Sequence, residues 1–193
     1  RVVRNSRSEN HRSTDRKRVQ FTKASKFVEL CFPGNKNGVR QGNIMNIVSK
    51  DVNYAVEITG NGDPLVLLHG FTGNRDTWKF LIPILSDRYT LIMVDIIGHG
   101  MTSSPADHRR YELENVAEDI KHILDVLHFP KAHILGYSMG GRLGLGFACL
   151  YPEYVDTLIL ESASPGLLTE EEGEIRRGND RRLGERILAN GME

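Results

Sequence analysis

The sequence has little of what would place it outside ordinary α/β domains. Its 193 residues include two cysteines, Cys31 and Cys149. That is too few for a disulfide framework and fits a reducing, cytoplasmic compartment. No apolar run approaches the roughly 18 residues that a membrane span requires, so no membrane partner is expected. Seven histidines are present, and none shares ligand spacing with another histidine, a cysteine or a carboxylate. Neither a metal nor a cofactor is therefore expected. No internal repeat or long low-complexity tract interrupts the chain. No histidine follows His133.

Net charge is also absent, with 25 Lys and Arg against 25 Asp and Glu. The balance is uneven along the chain. Residues 1–44 carry 11 basic and 3 acidic side chains, which leaves the body acidic by eight. An acidic body gives no reason to expect nucleic acid as a partner. The basic stretch 1–44 has no sustained hydrophobic period. It reads as a transit peptide weakened by Glu9, Asp15 and Glu29, as a basic arm, or as an artefact upstream of Met45. The artefact reading is preferred, because regular patterning begins at Met45.

From Met45 onward strand and helix signals alternate. Residues 44–48 and 52–58 alternate at period two around Ser49-Lys50-Asp51, which predicts a hairpin. Thr59 to Pro64 is a turn, and Leu65-Val66-Leu67-Leu68 is the continuous apolar run of a strand covered on both faces. A helix is predicted over Arg75–Leu85, then a strand over 89–95. Leu113, Val116, Ala117, Ile120, Leu124 and Leu127 form one helical stripe within 112–127. A strand at 132–137, a helix at 139–151 that would bury Cys149, and a strand at 157–160 follow. This order predicts a single α/β domain, a mostly parallel sheet with helices on both faces. The core is expected over 45–165, with a separate helical segment beginning in 166–193.

The chemistry centres on Gly136-Tyr137-Ser138-Met139-Gly140. A G-x-S-x-G run between an apolar strand and a small-residue helix makes a sharp turn that lifts the serine hydroxyl clear of its sheet. The bland alternative is a glycine-rich loop with an incidental serine. A second element, His69-Gly70-Phe71-Thr72-Gly73, directly follows the strand at 65–68. Such a turn can aim backbone N–H groups at negative charge building on a substrate oxygen. The expected donors are the N–H groups of Phe71 and of Met139.

Two tempting dyads carry blander readings. His69 is a candidate base, but a histidine before a glycine turn more often orders the loop by hydrogen bonding. Asp95 and His99, in Asp95-Ile96-Ile97-Gly98-His99-Gly100, resemble an acid–base pair and more often pin a loop. His11, His108, His122, His128 and His133 show no shared chemistry.

These motifs together resemble the α/β-hydrolase superfamily. Ser138-Met139-Gly140-Gly141-Arg142, Leu160-Glu161-Ser162-Ala163-Ser164-Pro165-Gly166-Leu167, and Arg176 four residues before Asp180 are similar to a narrower family. That family is the 2-succinyl-6-hydroxy-2,4-cyclohexadiene-1-carboxylate synthases of menaquinone biosynthesis. The resemblance covers about 45–193. It implies a lyase on a hydrolase fold that removes a proton from a cyclohexene polycarboxylate and eliminates pyruvate. It also implies a Ser138 activated as base, with Arg142, Arg176 and Tyr137 at the substrate.

The residues suit that implication physically. Arginine binds carboxylates through two parallel hydrogen bonds. Arg142 lies about 40° around a helix from Ser138, so both can face one pocket. Its alternative is a surface arginine, and that of Arg176 is a solvated position in the charged stretch Glu170–Arg177. Tyr137 either offers its hydroxyl or packs beside the turn.

One departure stands out. In this superfamily the acid and the histidine follow the serine, and here no histidine follows His133. The sequence is thus expected to be the N-terminal portion of an enzyme, ending in its first cap helix. Alone it should be poorly stable and nearly inactive, with residues 157–160 as an exposed strand edge. Three functions stay open: the lyase; a serine esterase, thioesterase or carbon–carbon hydrolase; and a non-catalytic interaction protein that kept the turn.

Overall fold

The structure is a computed structural model that describes residues 42–167 and 169–191. The basic stretch, except for its last three residues, lies outside them, as does Cys31. Strands β1 (Asn43–Ser49) and β2 (Val52–Gly60) form the expected hairpin, with Ser49 opposite Val52 and Lys50 at a φ of 55° in the turn. Then come β3 (Asp63–Leu68), β4 (Tyr89–Val94), α2 (Leu113–Val126), β5 (Ala132–Tyr137), α3 (Met139–Leu150), β6 (Val155–Glu161) and α4 (Glu170–Asn190), with the short α1 (Ile82–Leu85) before β4.

The six strands lie in the order β1-β2-β4-β3-β5-β6. β1, β2 and β4 pair antiparallel, whereas β4, β3, β5 and β6 run parallel. The mostly parallel sheet is as expected. From β3 the chain crosses to β4 on one side, and from β5 to β6 on the other. Right-handed crossovers in opposite directions place their helices on opposite faces. The alternation of β3 and β4 shows this directly. Leu65, Leu67, Leu91 and Met93 pack with Trp78 on one face. Val66, Leu68, Ile92 and Val94 pack with Ile120, Leu124, Leu143 and Phe147 of α2 and α3 on the other. Open α/β sheets bind ligands in the crevice where the two directions diverge, which here is at the carboxyl ends of β3 and β5.

Two expectations are corrected. Residues 75–85 are not one α-helix: Arg75–Leu81 is a 3₁₀ helix capped by Asn74, followed by the single turn of α1. Pro83 has no N–H to continue an α ladder, and Thr77, Trp78 and Phe80 are weak helix formers. Cys149 is exposed, not buried. α3 turns Gly140, Gly141, Leu143, Gly144 and Phe147 inward, and Cys149 falls off that stripe near the helix end.

β6 forms a sheet edge, as expected, and Ile159 and Leu160 stay 48% and 40% exposed on it. Helix α4 opens with a capping box in which Thr169 and Glu172 satisfy each other's backbone N–H groups. It buries no residue.

A polar network fastens the hairpin to α2. The fully buried Asp119 accepts from Ser49 Oγ at 2.6 Å, Tyr54 Oη at 2.8 Å and Arg110 Nη2 at 2.9 Å. Arg110 Nε also donates to Asp51 at 2.7 Å. Burial beside the Asp119 carboxylate pushes the Tyr54 phenol well above its usual range. It therefore stays a donor at every physiological pH.

Candidate functional site

The turn after β5 is built by what its glycines lack. Any Cβ on Gly136 would run into the backbone of Gly140 and Gly141, and one on Gly140 into the carbonyl of Leu68. The helix can therefore start directly over the end of β3. Ser138 sits between them at φ 51°, ψ −108°, a conformation that side chains rarely adopt. Holding it costs on the order of 1–3 kcal/mol, which the surrounding contacts must offset. Its N–H donates to the carbonyl of Glu161 at 2.9 Å, and its carbonyl accepts the N–H of Arg142 at 3.1 Å. Its hydroxyl makes no hydrogen bond to any described residue.

The turn after β3 lies beside it. A Cβ on Gly70 would come within 2.7 Å of the Tyr137 ring and 3.6 Å of Ser138 Cβ. The Gly73 N–H closes this turn on the Gly70 carbonyl at 3.0 Å, with Thr72 at a φ of 65°. The N–H groups of Phe71 and Met139 donate to no described backbone group. Both amides therefore lie beside the Ser138 turn without a described backbone partner.

Both histidines near the site are tied into the loops, His69 through both ring nitrogens and His99 through one. His69 is fully buried, and its Nε2 accepts the Ile96 N–H at 3.0 Å. The ring proton therefore lies on Nδ1, which donates to the Gly70 carbonyl at 2.8 Å. Burial, more than any charge, holds its pKa below the ordinary histidine value. His69 orders the loop. His99 donates from Nδ1 to the Ile97 carbonyl at 3.0 Å, and its ring lies between those of His69 and Phe71, at 5.1 and 5.9 Å.

Asp95 is engaged by other partners than the serine. It accepts the backbone N–H of Arg75 at 2.6 Å, the Arg75 guanidinium, and the Met101 N–H at 2.9 Å. Glu57 Oε2 lies 3.5 Å from Arg75 Nε. The Arg75–Glu57 partnership is invisible in sequence pattern. The one available signal was an aspartate set within the apolar run Ile92 to Ile97, which demands a buried partner.

Ser138, Met139, Tyr137, Phe71 and Arg142 thus gather at one end of the sheet, with Tyr137 40% and Phe71 53% exposed. Arg142 is exposed, one turn into α3. Arg176 is elsewhere. It lies on α4, half-exposed, with Nε 2.8 Å from both oxygens of Asp180. With Arg182 and Arg186 it lines an open groove of about 920 Å³ bounded by α4 alone. Among the described residues no cluster of three His, Cys, Asp or Glu could hold a metal, and no helix is long and apolar enough to cross a membrane.

A family model for the alpha/beta hydrolase fold matches residues 63–191. The chain belongs to the α/β-hydrolase fold family. Among its relatives within and around that family, a Bacillus subtilis protein provisionally named 2-succinyl-6-hydroxy-2,4-cyclohexadiene-1-carboxylate synthase is 43% identical over 79% of this chain and 56% of its own. A human serine hydrolase-like protein is 34% identical over 66% of this chain and 63% of its own. The structure of a hydrolase from Pseudomonas aeruginosa superposes with a TM-score of 0.64 at 27% identity, over 71% of this α/β-hydrolase chain and 52% of that one. The chain spans little more than half the length of these curated relatives.

Proposed function

We propose that this α/β-hydrolase chain carries the reactive serine, the oxyanion turn and one carboxylate anchor of a lyase. In this reading the lyase eliminates pyruvate from a cyclohexene polycarboxylate, the reaction that the resemblance implies, and the Bacillus relative carries the name of such a synthase. With its own proton passed to a base, Ser138 Oγ takes the ring proton; the C–H electrons form a new ring double bond, the neighbouring ring C–O bond breaks, and the departing enolate takes up a proton to become pyruvate. Developing negative charge is held by the N–H groups of Phe71 and Met139. Tyr137 offers its hydroxyl at the rim of the same crevice. The substrate is a small molecule; no cofactor, nucleic acid or membrane enters the reading.

The observation that carries it is Arg142. An arginine one helical turn past the serine, exposed on the side of the elbow, suits a carboxylate that sits beside the reacting carbon. An ester hydrolase has no use for a cation there. Arg176 is assigned the second carboxylate; it is free to act only if it leaves Asp180, an exposed pairing that holds it weakly. In this reading α4 is the first helix of a cap over the crevice.

A base must take the proton from Ser138 Oγ, because an unassisted hydroxyl is weak. His69 cannot serve, since both its ring nitrogens are bound within the loops. The Nδ1 of His99 is likewise tied to the Ile97 carbonyl, and the reading assigns no histidine of these residues as the base. The test is a full-length hybrid in which residues 42–191 replace the matched segment of the Bacillus relative, assayed for pyruvate release. A second reading, serine hydrolysis of esters or thioesters, is favoured by the human relative's name and gives ester cleavage without pyruvate.

A further inference from the structure

We propose that Asp95 is a positioning residue for the oxyanion turn, holding residues 69–75 in place through Arg75. The inference rests on the reading of Phe71 as an oxyanion donor.

Asp95 is fully buried at the end of β4. Both of its carboxylate oxygens accept hydrogen bonds. Oδ1 takes the Arg75 N–H, and Oδ2 takes the Arg75 guanidinium and the Met101 N–H. Its carbonyl accepts the Thr102 hydroxyl at 2.6 Å, and its N–H donates to Ala55 at 3.0 Å. The carboxylate fills the space in front of Gly100, where a Cβ would collide with it. It is therefore fixed on the sheet before it grips anything else.

What it grips is one end of the turn. The other end is gripped by the next residue along, where the Ile96 N–H donates to His69 Nε2 at 3.0 Å. Residues 70–74 are thus a short bridge with both feet on consecutive residues of one strand end. Phe71 is its exposed crown, and the placement of its N–H against Ser138 follows from the feet. Arg75 has a second carboxylate near, Glu57, but at 3.5 Å from Nε and without a hydrogen bond, since Nε is buried and unpartnered. Asp95 carries the grip. A charged hydrogen-bonded pair of this kind is lost almost entirely when one charge goes.

The experiment is amide hydrogen exchange on the full chain with Asp95→Asn. The probes are Gly73, whose N–H bonds Gly70, and Ile96, whose N–H bonds His69; the control is Arg142, whose N–H bonds Ser138 in the other turn. Expected is exchange roughly tenfold or more faster at both probes, with Arg142 and the β5 amides moved far less. Equal acceleration of probes and control, or none, overturns the proposal. Should Asp95→Asn not fold, Arg75→Lys decides by the same comparison, because lysine keeps the charge and the backbone N–H but loses the guanidinium grip. In the hybrid, Asp95→Asn lowers kcat at least about tenfold with KM within twofold, the signature of a displaced oxyanion donor. A hybrid that releases no pyruvate before any substitution sinks the lyase reading, and exchange alone then judges Asp95.

Discussion

Arg142 donates its backbone N–H to the carbonyl of Ser138 at 3.1 Å. That bond closes the first turn of α3 and sets the guanidinium stem on the helix face that starts at Ser138. The guanidinium and the serine hydroxyl share one rigid element, so their spacing does not depend on a mobile loop.

Replacing Arg142 by Gln in the hybrid should raise KM for the polycarboxylate at least about tenfold, the loss expected when a charge-assisted hydrogen bond is removed. Steady-state kinetics check this. Hydrolysis of a neutral ester by the same variant should be unchanged, and equal losses on both substrates would assign Arg142 to the fold.

Ser138→Gly should make the chain more stable. Glycine adopts φ 51°, ψ −108° without the steric conflict that serine meets. Relief of about 1–3 kcal/mol of strain exceeds the roughly 0.4–1 kcal/mol that glycine's looser unfolded chain takes back. Urea unfolding of the variant should show a net gain near 1 kcal/mol; a loss would mean the turn is not strained.

Stability should fall as pH drops below the ordinary histidine value of 6.5, in part through His69. Its folded pKa is lowered, so the unfolded chain binds the proton more readily than the folded one. The contribution is complete above 6.5 and is lost as pH descends toward the folded value. Protonated Nε2 would also face the Ile96 N–H donor to donor. His69→Gln, judged by unfolding midpoints between pH 5 and 7, should flatten the profile while lowering stability at pH 7.

Asp119→Ala should cost about 3 kcal/mol or more. It leaves Ser49, Tyr54 and one arm of Arg110 buried without an acceptor. Thermal unfolding measures this, and Glu118→Ala, which breaks only the exposed pair with Lys50, should move the midpoint little.

The elbow was legible in sequence because its physics is local. Gly136 and Gly140 answer to contacts within five residues or to the strand that the apolar run Leu65–Leu68 announces. The parallel strands were legible for the same reason, since burial on both faces demands unbroken apolar runs. The strand partner of β2 was not, because period-two alternation marks a face and leaves the neighbour open. Residues 75–85 misled because Trp78 and Leu81 mimic a helical stripe while Pro83 stops the ladder. Arg75, at the foot of the turn after β3, meets Asp95 across 20 residues, and no periodicity encodes that meeting. Arg176 joined the site by resemblance alone, and the structure places it on a helix that buries nothing.

Pyruvate release by the hybrid, with and without Ser138→Ala, tests the central claim most directly. The account predicts turnover of the cyclohexene polycarboxylate that falls at least about a thousandfold on loss of the hydroxyl, with binding retained. Ester cleavage without pyruvate, or release that survives Ser138→Ala, would contradict it.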